Sequence, residues 1–312
     1  MPEPGTFSFS TVPGYFLQDE SSTDPDSFDY VCLPQEANKT TFDPYLQIQA
    51  NSNFGLIDRD YDSQKESKQE LSTWQRFSRE IQHLNELGGE LVRYKVLFLG
   101  RHGEGVHNVA EARYGTKAWD EYWSFLDGDE YGRWDDARLT DLGKSQAETA
   151  HSAWKKQIEH GIPAPQSYYV SPLNRCCTTA QITFDGLDIP LTKPFRPTIK
   201  ELLRETIGQH TCDRRSKASE IACEFPEYGF EAGFEEKDLL WDPIHRESNE
   251  DRNKRLSRLL GDIFANDDNI FLSLTAHSGA ITSILEVIGH RKFQLQTGGV
   301  IPVVIRAEKV ST

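Results

Sequence analysis

Short apolar runs that stop at a charged residue alternate with segments of helical period along this chain, and that alternation constrains its fold most. In VLFLGRHGEGVHN (96–108), Val96, Leu97, Phe98 and Leu99 are apolar at every position. A strand covered on both faces, as in a parallel sheet, has this pattern. It stops at Gly100 and runs into Arg101, His102 and Gly103. SYYV (167–170) runs into SPLNR, TIKELL (198–203) into RETIGQHTCDRRS, and IFLSLTA (270–276) into HSG; VIPVVIRAE (300–308) is a last candidate strand.

The intervening segments read as helices. Leu71, Trp74, Phe77, Ile81, Leu84 and Leu87 follow helical spacing within 68–87, and Gly88-Gly89 stops them. Thr140 caps a long helix that closes at Gly161, Asn174 opens one through CCTTAQITF, and two more are expected over 251–264 and AITSILEVIG (280–289). The expected fold is an α/β three-layer sandwich, a mainly parallel sheet flanked by helices. Residues 1–66 read as an N-terminal extension partly docked on a catalytic domain of 67–312. Within it, about 112–138 is a lid-like insertion after the first strand, dense in aromatics (Tyr114, Trp119, Tyr122, Trp123, Phe125, Tyr131, Trp134) and acidic residues.

Composition narrows the partners. A net charge of −15 disfavours nucleic acid and anionic membranes, and no apolar run is long enough to span a bilayer. The N-terminus lacks the apolar stretch of a secretory signal. Five cysteines, none in a CxxC pair, predict free thiols in the cytoplasm or nucleus, with no metal and no cofactor. Oligomeric state is not legible.

In open α/β sheets the ligand site lies beyond the carboxyl ends of the strands. Those ends carry Arg101-His102, Arg175, Arg204-Glu205 and His277. Arginine forks bind phosphate oxygens and stay charged, a neutral imidazole can attack phosphorus, and a carboxylic acid can protonate a leaving oxygen. A small phosphorylated metabolite is the expected ligand.

Five motifs in order, RHGEGVHN, LTDLGKSQA, SPLNR, LLRETIG and TAHSG, resemble those of the histidine phosphatase superfamily, which includes the cofactor-dependent phosphoglycerate mutases. VPGYFLQ and GQHTCDRRS resemble its fungal phosphomutase-like branch. The resemblance implies that His102 is the phosphorylated nucleophile and Glu205 the proton donor. It implies that Arg101, Arg175 and His277 bind the phosphoryl group, with Asn108 assisting. The acid-phosphatase branch has an aspartate after the second histidine; Ser278 stands there, which favours Glu205. Arg204 is expected to point away from Glu205.

Arg214 and Arg215 read either as a clamp for a second anionic group on the substrate or as a solvated pair. His107 and His210 read as hydrogen-bonding loop histidines, and Cys176-Cys177 as packing residues. The expected function is hydrolysis of a small phosphomonoester through phosphohistidine. A phosphomutase is the alternative, and a non-catalytic phosphate-binding regulator is a third reading.

Overall fold

The structure, a computed structural model, describes residues 7–25, 28, 53–61 and 71–310. Its centre is a sheet of β1 (Phe7–Thr11), β2 (Val92–Arg101), β5 (Ser167–Val170), β6 (Thr198–Ile199), β7 (Gly229–Phe230), β8 (Phe271–Ala276) and β9 (Val300–Lys309). The spatial order is β1-β9-β2-β8-β5-β6-β7. From β2 through β8, β5 and β6 to β7 every pair is parallel, while β9 runs antiparallel to both β2 and β1.

The apolar run of β2 is explained by what covers it. Leu97 and Leu99 face one side, packing with Leu256, Leu260 and Ile263 of α7 (Asn249–Asn266) and Ile281 and Ile284 of α8 (Ser278–Val287). Val96 and Phe98 face the other. They meet Trp74, Phe77 and Ile81 of α1 (Thr73–Gly88), Trp154 of α4 (Asp141–Glu159) and Phe184 of α5 (Asn174–Phe184). Burial on both faces removes the polar alternation of a half-exposed strand.

Helix ends follow local chemistry. Ser72 caps α1 by accepting from the Gln75 amide, and Thr140 caps α4 by accepting from Gly143. The start of α4 crosses the loop after β2 almost backbone to backbone. A Cβ on Gly103 would stand 2.1 Å from the Gly143 carbonyl oxygen, and one on Gly143 would stand 2.1 Å from that of Glu104. The glycines of RHG and LTDLG are thus two sides of one contact.

Three elements differ from the sequence expectation. The third strand stops at Ile199, and 201–203 form a single 3-10 turn that carries the chain toward Arg204 and Glu205. Phe7–Thr11, inside the stretch read as an N-terminal extension, forms β1 on the edge of β9. Short strands Gly128–Asp129 and Gly132–Arg133 (β3, β4) pair as a hairpin in the aromatic segment, after α2 (Val106–Tyr114) and α3 (Thr116–Glu121). Tyr15, Phe16, Phe54, Leu56 and Tyr61 join the core around α1. Residues 62–70, where the first helix was expected to begin, lie outside the described residues, as does Cys32. No helix among the described residues is long and apolar enough to cross a membrane.

Candidate active site

Register brings the two histidines together. Arg101 pairs with Ala276 across the parallel β2–β8 ladder, so the next residues, His102 and His277, stand side by side. Their ring centroids are 5.1 Å apart, and both are buried. His102 Nδ1 lies 2.7 Å from the Gly103 carbonyl oxygen. Only an N–H can bond there, so Nδ1 carries the proton and Nε2 keeps its lone pair. Burial, then Arg175 and Arg101, hold the His102 pKa well below the usual imidazole value. The ring is therefore neutral at neutral pH, with one nucleophilic nitrogen. His277 is likewise held neutral, by burial and then Arg175, and its Nε2 lies 2.8 Å from Ser171 Oγ at the end of β5.

One buried guanidinium group, Arg175, and one half-buried, Arg101, flank the imidazoles. Arg101 Nη1 donates to the Leu295 carbonyl at 2.8 Å. Arg175, in the first turn of α5, donates from Nη1 to the Cys212 carbonyl at 2.6 Å and from Nη2 to Asp213 Oδ1 at 3.0 Å. The Nε of both arginines is buried without a protein acceptor. Buried donors are nearly always bonded, and an anion's oxygens are acceptors suited to such a charged corner.

Glu205 closes the group. Its Oε2 accepts from the Gly279 amide at the start of α8 at 2.8 Å, and its Oε1 from Thr206 N at 2.9 Å. A Cβ on Gly279 would lie 2.1 Å from Glu205 Oε1, so only glycine lets the carboxylate reach that helix end. Arg204 does point away, into Glu201, Asp238 and the Asp213 carbonyl. Asn108 turns its Oδ1 back onto the Gly105 amide at 3.0 Å, capping α2.

The structure therefore gathers His102, His277, Arg101, Arg175 and Glu205. It does not assemble Arg214 and Arg215 into a clamp, and this corrects the sequence expectation. Arg215 is buried: Nε donates to Glu201 Oε2 at 2.8 Å, and its Nη atoms bond the carbonyls of Ser216, Glu235, Glu236 and Lys237. It ties one loop to another. Arg214 stays half-exposed, but Nη2 bonds Asp127 Oδ1 at 2.8 Å and its guanidinium lies over the Trp241 ring.

Two residues of the site were not singled out by sequence, and a third was given another role. Asp213 anchors Arg175. Asp136, at a φ of 44°, accepts from Asn174 N at 2.8 Å and from Ser216 N at 3.0 Å, joining the start of α5 to the Arg175-anchoring loop. His107, already noted as a loop histidine, instead places its ring 5.5 Å from that of His102, and burial followed by Arg175 keeps it neutral. Its position within RHGEGVHN was the available signal. Among the described residues, His210, Cys212 and Asp213 bring metal-ligating atom types together. Arg175 bonds that same Asp213, Arg246 Nη1 lies 3.5 Å from it, and burial raises the Cys212 thiol pKa. Two cations and a protonated thiol fit a metal poorly.

Paired imidazoles beside two arginines at parallel strand ends are a chemistry suited to holding a phosphoryl group. The chain belongs to the histidine phosphatase superfamily (branch 1), whose family model matches residues 97–300. It is 54% identical over 303 residues to the "Probable phosphoglycerate mutase" of Arthroderma benhamiae, spanning 96% of this chain and 85% of that protein. It is 39% identical over 220 residues to "Phosphomutase-like protein 3" of Candida albicans, spanning 70% of this chain and 67% of that one. Among solved structures, a mycobacterial glucosyl-3-phosphoglycerate phosphatase aligns with a TM-score of 0.41 and 20% identity, over 68% of this chain and 91% of its own.

Proposed function

We propose that this protein hydrolyses a small phosphomonoester through a phosphohistidine on His102. The observation that carries the reading is the 2.7 Å approach of His102 Nδ1 to the Gly103 carbonyl, which leaves Nε2 bare on a ring 5.1 Å from that of His277 and in the field of Arg175 and Arg101. His102 Nε2 attacks phosphorus as the bond to the ester oxygen breaks. Glu205, entering as the acid, gives its proton to the departing alcohol. The arginines and His277 hold the equatorial oxygens, where charge spreads in the transition state. Water then attacks phosphorus, Glu205 takes its proton, the N–P bond breaks, and inorganic phosphate leaves with His102 neutral again. The arginines supply the positive charge, so turnover needs no metal.

The mutase named in the relatives would return the phosphoryl group to a second hydroxyl and must hold a bisphosphate meanwhile. Arg214 and Arg215 are the residues that suggested such a subsite, but Arg215 is fully buried against Glu201 and loop carbonyls, and Arg214 is held by Asp127 and the Trp241 ring. This favours water as the acceptor. The test is to incubate the full chain, with chelator present, with a panel of phosphomonoesters and score released phosphate against isomerised ester. Phosphate release supports the hydrolase; isomerised product without phosphate overturns it.

A further inference from the structure

Next to the reacting corner runs the loop that anchors Arg175, a wall of packed rings. Cys212, whose carbonyl takes the Arg175 guanidinium, lies two residues from His210. His210 is wrapped by aromatic groups. The rings of Trp119 and Phe125 each lie 6.2 Å from its imidazole, and Trp241 Nε1 donates to its carbonyl at 2.9 Å. Thr211 Oγ1 donates to the Leu126 carbonyl, fixing the aromatic segment against the same loop. Around this wall, Tyr122, Phe125, Leu239, Leu240 and Ile244 remain exposed.

The arginines of the wall are answered within the protein. Arg204 is bound to Glu201 and Asp238, Arg214 to Asp127, Arg215 to Glu201, and Arg246 sits against Asp213 and the Gly208 carbonyl. His210 does not supply a cation either: burial, followed by Arg246, lowers its pKa to about 4. Its Nε2 lies 3.8 Å from the Asp120 carboxylate. A second anion on the substrate would thus meet apolar rings, a neutral imidazole and an acid, and would lose its hydration without a partner. An apolar group would cover exposed rings and leave no polar atom unpaired.

We propose that the site takes phosphomonoesters whose alcohol part is apolar or aromatic and carries no second negative charge, the wall formed by His210, Phe125 and the 239–244 loop receiving that part. The proposal rests on the phosphomonoesterase reading and narrows its substrate class away from phosphorylated acids and bisphosphates.

Binding of phosphonates, which cannot be hydrolysed, tests it apart from catalysis. Calorimetry on the full chain would compare propylphosphonate, 3-phenylpropylphosphonate and 3-phosphonopropionate. The phenyl compound is expected to bind about tenfold more tightly than the propyl one, and the carboxylate compound no more tightly than the propyl one. Phe125→Ala and Leu240→Ser, both at exposed positions, should each reduce the phenyl preference to about threefold or less. Equal affinities for all three, or tightest binding of 3-phosphonopropionate, would overturn the proposal. Hydrolysis of propyl and 3-phenylpropyl phosphate, esters of similar leaving groups, is scored separately. A phenyl preference in binding with no phosphate released from either ester would defeat the hydrolase reading and leave the substrate class standing.

Discussion

Arg175 and Asp213 form an ion pair sealed from solvent on both sides, Nη2 standing 3.0 Å from Oδ1 with side chains 1% and 5% exposed. The neighbouring Cys212 carbonyl takes Nη1, so one short loop fixes the orientation of the guanidinium. Removing one partner of a buried pair leaves the other charge uncompensated. Asp213→Ala should therefore cost roughly 3–5 kcal/mol of folding free energy, read from urea unfolding. A loss below about 1 kcal/mol would mean that Arg175 is held by carbonyls alone.

Glu205 and Gly279 give a prediction specific to the chemistry. The added methyl of Gly279→Ala would displace the Glu205 carboxylate from the start of α8. Turnover should fall roughly tenfold to a hundredfold, as when a general acid is misplaced, with the unfolding midpoint little changed. Unchanged kcat in a folded variant would remove Glu205 from the proton-transfer role.

Acid should destabilise the fold through its buried imidazoles. His102, His107, His277 and His210 all have depressed pKa values, burial being the largest cause in each. The unfolded chain takes up protons near the ordinary imidazole value of about 6.5, where the folded protein does not. Stability is therefore full above that value and is lost as pH falls through it toward the folded pKa values. Between pH 7 and pH 6 each histidine should cost roughly 0.7 kcal/mol, seen as a falling urea midpoint. A midpoint flat or rising over that interval would contradict the buried, neutral histidines.

Arg215 and Arg214 should part company. Arg215→Ala removes a buried cation from Glu201 and from several carbonyls, and should destabilise by about 3 kcal/mol or more. Arg214→Ala breaks a half-exposed pair and should cost less than about 1 kcal/mol. Equal small effects on unfolding would return Arg215 to the solvated-pair alternative.

That pair also marks where reading the chain stopped short. Strand β5 over 167–170, α5 from Asn174 and the Thr140 cap were legible because period and capping are local signals. So were the residues at the parallel strand ends, since topology dictates where such ends meet. The partners of Arg215 were not, because they come from Glu201 and from carbonyls about twenty residues further along, in a loop without any pattern. β1 was missed for a similar reason: five residues become a strand by pairing with β9 near the other end of the chain. The third strand was overextended because Leu202 and Leu203 are apolar for burial in a 3-10 turn, where alternation carries no information. Asp213 was passed over because an aspartate between Cys212 and Arg214 looks like a surface charge until Arg175 is seen beneath it.

The central claim is that His102 carries the phosphoryl group. The most direct measurement is an alkaline quench of the full chain during turnover of a phosphomonoester, followed by mass mapping of the adduct. A phosphoryl group stable to base and labile to acid should be found on His102. In His102→Ala it should be absent, with turnover reduced at least a thousandfold, about 4 kcal/mol of barrier. An adduct on another residue, or hydrolysis undiminished in His102→Ala, would contradict the account.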